Sequence, residues 1–278
     1  MSPAGGCSLG QFFYNEGILR TNGGTTMKIA ICGKGGCGKS TTTALLAKAL
    51  ARAGKRVLVV DSDESNYGLH RQLGMERPKD FTAFFGGKEN VLKDMMLSNF
   101  AHKFFDGPWS LSDIPGGYCG EKNGVMLMAS GKIHQANEGC ACVMNDVIKQ
   151  FIANLQLTKA EFALVDMEAG IEHFGRGVDN GVDLLLMIID PSFESLRLSK
   201  KIQELGASIG KPVWFVLNKV TGDTRQAMVE TVADSGKIAA ILPADPQIAA
   251  AGLTGAELTK HCPDIQELAQ ELIAGGLV

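Results

Sequence analysis

At 278 residues, 45% hydrophobic and 21% charged, the chain is long enough to bury one sizeable core or two small ones, and one large α/β domain fits best. A formal net charge of −3 leaves no basic footprint, so nucleic acid is excluded as a partner. The apolar runs Arg56–Val60 and Leu184–Ile189 fall far below the ~20 residues needed to cross a bilayer, so no membrane partner is expected and the chain reads as cytoplasmic. Its seven cysteines are scattered, unlike a small secreted disulfide framework, which points to a reducing compartment.

The segment 1–26 is rich in Gly, Ser, Thr and Asn, has no periodicity, and is expected to be a disordered extension. It lacks the charged and then apolar order of a secretory signal. Asn22-Gly23-Gly24 is what a purine-rich ribosome-binding site reads as when translated, which makes Met27 the expected natural start. From there, in 27–278, short apolar runs alternate with helical segments, the signature of βαβ units and a parallel sheet. Strands are predicted at Lys28–Cys32, Arg56–Asp61, Val125–Ala129, Phe162–Asp166, Leu184–Asp190, Pro212–Leu217 and Ile238–Leu242. Helices are predicted at Lys39–Ala53, Asn66–Leu73, Ala141–Leu155, Phe193–Ser208, Thr224–Ser235 and Ile265–Ala274. The stretch Asn99–Gly124, with Gly-Pro, Pro-Gly-Gly and several aromatics, reads as a long irregular connection of the functional or mobile kind. The fold class is therefore α/β, a single domain with a mainly parallel central sheet flanked by helices.

The strongest chemical signal is Gly33-Lys34-Gly35-Gly36-Cys37-Gly38-Lys39-Ser40-Thr41, which satisfies G-x-x-x-x-G-K-[ST] between a predicted strand and a predicted helix. Glycines let the backbone wrap phosphates, with amides and the positive helix N-terminus facing the anion. ATP and Mg²⁺ are the expected ligands. Lys39 is expected to bridge the β and γ phosphates, and Ser40 to offer its hydroxyl to Mg²⁺. Two acidic pairs end later strands. Asp61-Ser62-Asp63 lies at the C-terminal end of the second predicted strand, where open α/β sheets place ligands, and Asp166-Met167-Glu168 follows the fourth. Asp after a strand is also a common helix cap.

With a second lysine, Lys34, just after the first glycine, the sequence resembles the deviant-Walker ATPases that include MinD, ParA, ArsA and the nitrogenase iron protein, across nearly everything after Met27. The resemblance implies that Lys34 reaches across a homodimer to the partner's nucleotide. It implies that Asp63 positions or activates the attacking water, with Asp61 supporting Mg²⁺ or Lys39. Asp166-Met167-Glu168-Ala169-Gly170 matches the second switch of that class, in which Asp166 holds Mg²⁺ through water and Gly170 senses the γ phosphate. Asn218-Lys219 and Pro243-Ala244-Asp245 resemble its adenine-recognising segments, although Asn and Pro after a strand are also plain turn formers.

Cys140-Ala141-Cys142, preceded by Glu138-Gly139, opens a predicted helix. Paired thiolates can face one soft metal but do not complete a tetrahedral site. A symmetric dimer would supply four sulfurs, Cys140 and Cys142 from each copy, on its two-fold axis. The alternative is two small residues packed at a helix start. Gly131-Lys132-Ile133, the Glu138–Cys142 run and Asp166–His173 together look like the CooC-type ATPases that mature carbon monoxide dehydrogenase. That resemblance implies a nickel-handling ATPase that dimerises with ATP or metal and serves the carbon monoxide dehydrogenase catalytic subunit, or a related nickel and iron cluster enzyme. Zinc would fit the same thiolates.

Cys37 departs from the Val or Ile usual inside that loop and is read as a small apolar packer. Cys119 is left without a role, and His134 and His173 are possible nickel ligands. Three rivals remain. An iron-sulfur electron donor of the nitrogenase iron protein type would, by resemblance, carry its cluster cysteines one per segment. A MinD-like or ParA-like positioning ATPase would need a basic amphipathic tail or a basic patch, and Asp264–Val278 has no Lys or Arg. A metal-binding chaperone without turnover would not need Asp63 and Asp166 together.

Overall fold

The computed structural model describes residues 26–63, 66–131, 142–168 and 181–277. Eight strands form one sheet: β1 (Met27–Gly33), β2 (Arg56–Asp61), β3 (Cys119–Lys122), β4 (Val125–Ala129), β5 (Glu161–Asp166), β6 (Leu184–Ile189), β7 (Val213–Val220) and β8 (Ile238–Pro243). Their spatial order is β3-β4-β2-β5-β1-β6-β7-β8. Every neighbouring pair is parallel except β3 with β4. Helices are α1 (Lys39–Arg52), α2 (Leu69–Leu73), α3 (Lys88–Leu97), α4 (Cys142–Asn154), α5 (Phe193–Ser208), α6 (Gly222–Thr231), α7 (Pro246–Thr254) and α8 (Pro263–Ala274).

The continuous apolar runs follow from burial on both faces, as a parallel sheet requires. Side chains alternate along each strand, so the sheet separates two cores. Ala30, Cys32, Leu58 and Val60 pack with α4 residues Val147, Ile148, Phe151 and Ile152. Ile29, Ile31, Val57 and Val59 pack with α1 residues Leu46 and Leu50 and α8 residues Leu268 and Leu272. α1 is rich in Ala and Leu, strong helix formers, and the left-handed Gly54 (φ 83°) follows its end.

Each predicted strand is present, and the differences lie where local signals were weak. The connection expected to be irregular carries β3, antiparallel on β4, and Phe105, Leu111 and Ile114 within it are buried. Phe81 anchors that stretch, its ring meeting those of Phe105, Trp109, Tyr118 and Phe151 at centroid distances of 5.4 to 6.4 Å. α3 and α7 were not anticipated. α3 is short and follows the glycines Gly86 and Gly87. α7 starts with an Asp245 cap and Pro246 in its first turn, a helix-start signal lying within the segment that the resemblance assigns to adenine recognition. The helix expected from Asn66 begins only at Leu69, because Asn66 Oδ1 accepts the backbone N–H of Gly68 in a turn at 2.8 Å. α6 ends at Thr231 rather than Ser235, and a separate short 3₁₀ turn follows at Ser235–Lys237. Among the described residues no helix is long and apolar enough to cross a membrane.

Candidate nucleotide site

The loop from Gly33 to Ser40 joins the end of central strand β1 to α1, in the crevice at the strands' C-terminal ends where β1 lies between β5 and β6. Gly33 has φ 144°, and a Cβ there would run into the Ile188 carbonyl. Gly38 has φ 102°, and a Cβ would meet the Asn218 amide. Both positions therefore require glycine. Lys39 opens α1, is 6% exposed, and donates from Nζ to the Lys34 carbonyl at 3.4 Å.

Three buried carboxylates stand beside the loop. Parallel pairing places Asp61 at the end of β2 opposite Asp166 at the end of β5, and Asp63 follows two residues on, 6% exposed. Burial first, then the charge of Asp61, pushes Asp166 up to about 7, with Asp63 adding to the push. The Ser40 hydrogen bond and the Lys39 charge oppose it. Ser40 Oγ donates to Asp166 Oδ2 at 2.6 Å, and Thr43 Oγ1 donates to Asp166 Oδ1 at 3.4 Å. Asn66 Nδ2 also donates to Ser40 Oγ.

Among the described residues, no three His, Cys, Asp or Glu side chains form a metal cage of their own. Ser40 and Asp166 nonetheless fit Mg²⁺, a hard cation that takes oxygen ligands, is held by one or two protein groups, and draws the rest from phosphate and water. The excess negative charge felt by Asp166 is what such a cation relieves.

Lys34 points away from these carboxylates. Its Nζ lies 3.4 Å from Ser192 Oγ and 3.5 Å from Glu194 Oε2, at the start of α5, and the side chain stays partly exposed. One strand further along the sheet, the register of β7 on β8 shifts between Leu217 and Val220. Lys219 takes a left-handed φ of 58°. Asn218 Nδ2 donates to the Cys37 carbonyl at 2.8 Å, and Lys219 Nζ to the Gly36 carbonyl at 2.6 Å. Beside them opens a cavity of about 610 Å³, whose lining includes Gly38, Thr41, Asn218, Lys219, Pro243 and Asp245. Asp245 accepts the backbone N–H groups of Gln247 and Ile248 as the cap of α7 and pairs with Lys260. Its carboxylate is therefore already held at the cavity wall.

The fully buried Cys37 thiol is pushed up to about 11 by desolvation, as befits a packing residue. Cys119, on β3, is half-buried and likewise raised to about 11, by burial and then Glu121. Gly170, Cys140, His134 and His173 lie outside the described residues. Cys142 is placed as the first residue of α4, its side chain outside the description. Sequence reasoning missed Thr43, Asn66, Ser192 and Glu194, which the fold brings to the loop and its carboxylates, and Lys260, which it brings to Asp245 at the cavity wall.

Comparison with known proteins agrees with this geometry. The chain is 46% identical over 248 residues to an uncharacterized ATP-binding protein of Methanocaldococcus jannaschii, spanning 88% of this chain and 99% of the relative. It is 31% identical over 250 residues to the carbon monoxide dehydrogenase accessory protein CooC of Rhodospirillum rubrum, spanning 89% and 95%. Its fold resembles the septum site-determining protein MinD of Pyrococcus horikoshii complexed with Mg-ADP, with a TM-score of 0.63 at 21% identity over 89% of this chain and 96% of that one. The model of the CobQ/CobB/MinD/ParA nucleotide binding domain matches residues 28–258, and the chain belongs to that family of P-loop ATPases.

Proposed function

We propose that the protein is a cytoplasmic, ATP-hydrolysing metallochaperone that assists nickel insertion during maturation of carbon monoxide dehydrogenase or a related nickel-iron-sulfur enzyme. The observation that carries this reading is the 31% identity to CooC across 89% of the chain, together with the sequence motif Cys140-Ala141-Cys142, whose last residue opens α4.

Each residue has a task in this reading. The backbone of Gly33–Ser40 and the Lys39 ammonium receive the phosphates, and the cavity beside Asn218, Lys219, Pro243 and Asp245 receives the base. Ser40 and Asp166 would hold Mg²⁺, which when bound neutralises charge on the phosphate oxygens. Asp63 orients the attacking water and Gly170 reports the γ phosphate. Lys34, whose ammonium rests beside Ser192 and Glu194 at the start of α5, leaves them to reach the nucleotide of a second copy, so ATP closes two chains face to face. Cys140 and Cys142 of both copies then present four thiolates to one nickel or zinc ion, whose affinity changes as hydrolysis loosens the dimer.

Titrating Ni²⁺ and Zn²⁺ into metal-free protein, with and without MgATP, tests the reading by thiolate-to-metal absorbance and molecular mass. One metal per two chains, lost in Cys140→Ser/Cys142→Ser while ATP binding persists, is the expected result. Unchanged metal stoichiometry in that double variant would overturn the shared thiolate site. An ATPase whose switch drives a protein partner would then remain.

A further inference from the structure

Asn145 sits on α4 three residues after Cys142, about one turn into the helix, and is 6% exposed. Its Oδ1 accepts the Ser62 hydroxyl at 3.3 Å. Its Nδ2 is buried and has no hydrogen-bond partner among the described residues. Ser62 is itself 5% exposed, lies between Asp61 and Asp63, and donates its backbone N–H to the Asp166 carbonyl at 3.0 Å. A single side chain thus links α4 to the segment carrying two of the three buried carboxylates.

Packing does not account for an amide at this position. Its neighbours on the helix, Met144, Val147 and Ile148, are buried apolar residues, and Val147 and Ile148 already seat α4 on the sheet. A buried amide with one pole unmet is costlier than an apolar side chain of the same volume. Buried polar groups are nearly always fully paired, so a half-satisfied amide in a well-packed region calls for a role beyond packing. Here the adjoining segment carries Asp61 and Asp63, the two carboxylates whose charges act on Asp166.

We propose that Asn145 is a positioning residue for ATP hydrolysis. It ties Asp61–Asp63 to the first turns of α4, so that the two shift together with nucleotide state and the spare amide donor gains its acceptor in the nucleotide-bound arrangement. The rate effect rests on the reading of Asp63 as the carboxylate that orients water; the mechanical link to α4 does not.

The test uses the full chain with Asn145→Leu, which keeps volume and removes both amide poles, Ser62→Ala, which removes the other half of the link, and the double variant. Each single variant is expected to lower kcat about tenfold with KM for ATP changed less than about twofold, and the double variant to be no slower than the slower single one, since both cut one connection. Hydrogen exchange of the backbone amides at 142–148 is expected to differ between Mg-ADP and a non-hydrolysable ATP analogue in the unaltered protein, and to lose that difference in either variant. Unchanged kcat in both single variants, multiplied effects in the double variant, or nucleotide-dependent exchange that persists in both would overturn the proposal. A structural amide satisfied by a trapped water predicts that last pattern, with only thermal stability shifted. Should Asn145→Leu fail to fold, Ser62→Ala decides alone. Should the unaltered protein bind MgATP without turning it over, the Asp63 reading fails instead, and the exchange comparison still decides Asn145.

Discussion

The hydroxyl of Ser40 donates to Oδ2 of Asp166 at 2.6 Å, joining the first turn of α1 to the end of β5. That contact ties the phosphate-loop end of α1 to the strand end that carries Asp166. It also sets a conflict between stability and function, since Asp166 is fully buried beside Asp61. Asp166→Asn is expected to raise the melting temperature of nucleotide-free protein at pH 8 by a few degrees while abolishing MgATP turnover. Ser40→Ala, which takes a donor from the buried Asp166 carboxylate, is expected to lower kcat/KM for MgATP on the order of 100-fold and to lower the melting temperature at pH 8 by a few degrees. Differential scanning calorimetry and a phosphate-release assay measure both; an Asp166→Asn protein that melts lower would argue against charge repulsion there.

The two loop lysines should separate by assay. Lys39→Ala is expected to remove detectable ATP and ADP binding in calorimetric titration. Lys34→Ala, which only breaks contacts to Ser192 and Glu194, is expected to leave ADP affinity within about threefold and to lower ATP-dependent dimerisation and turnover at least about tenfold. Light scattering with and without MgATP checks this, and an unchanged dimer in Lys34→Ala would remove the lysine's role across the interface.

Glu257 clamps three parts of the fold, accepting from Lys48 on α1 and Lys122 on β3 at 2.8 and 2.9 Å. The hydrogen bonds from Lys48 and then Lys122 hold its carboxyl below the usual glutamate range. Because the folded value lies below the unfolded one, the stabilisation is present above the unfolded value and is lost as pH falls through the folded one. Glu257→Gln should therefore cost about 0.5 kcal/mol at pH 7, a figure kept small by solvent screening. The difference from the unaltered protein should vanish under acid conditions. Urea midpoints across that range check the sign: a gap that widened on acidification would contradict it.

Phe81 is fully buried and meets four rings of the stretch 104–151 as well as Phe84 and Phe85. Phe81→Ala is expected to cost about 3–5 kcal/mol and to change Trp109 fluorescence while sparing the phosphate loop. Urea unfolding followed by tryptophan emission measures the loss, and a cost below about 1 kcal/mol would mean the cluster repacks around the cavity.

Much of this molecule was legible in its sequence. The runs Met27–Gly33, Leu184–Ile189 and Glu161–Asp166 are continuously apolar over most of their length because parallel strands are buried on both faces. Gly33 and Gly38 announce a loop that no other residue can form, and Lys39 and Ser40 follow it directly into α1. These are local properties, fixed by backbone sterics and by side-chain alternation, so a single sequence displays them. The same locality explains the misses: α3 has little to distinguish it between two glycines and a polar loop, and β3 is a four-residue edge strand, Cys119–Lys122, that exists only by pairing with β4.

What the tertiary structure alone decided is which distant residues meet. Asp61 faces Asp166 because β2 and β5 pair in parallel register, although 105 positions separate them. Asn218 and Lys219 reach the phosphate loop because β7 ends beside it in the sheet order, across 181 and 183 positions. Asn145 meets Ser62 because α4 packs on the sheet face below the second strand. Such pairings are set by strand order and by the burial of two opposite cores, quantities that belong to the folded chain as a whole. The sequence determined the elements and the phosphate-binding chemistry, and packing determined the company that chemistry keeps.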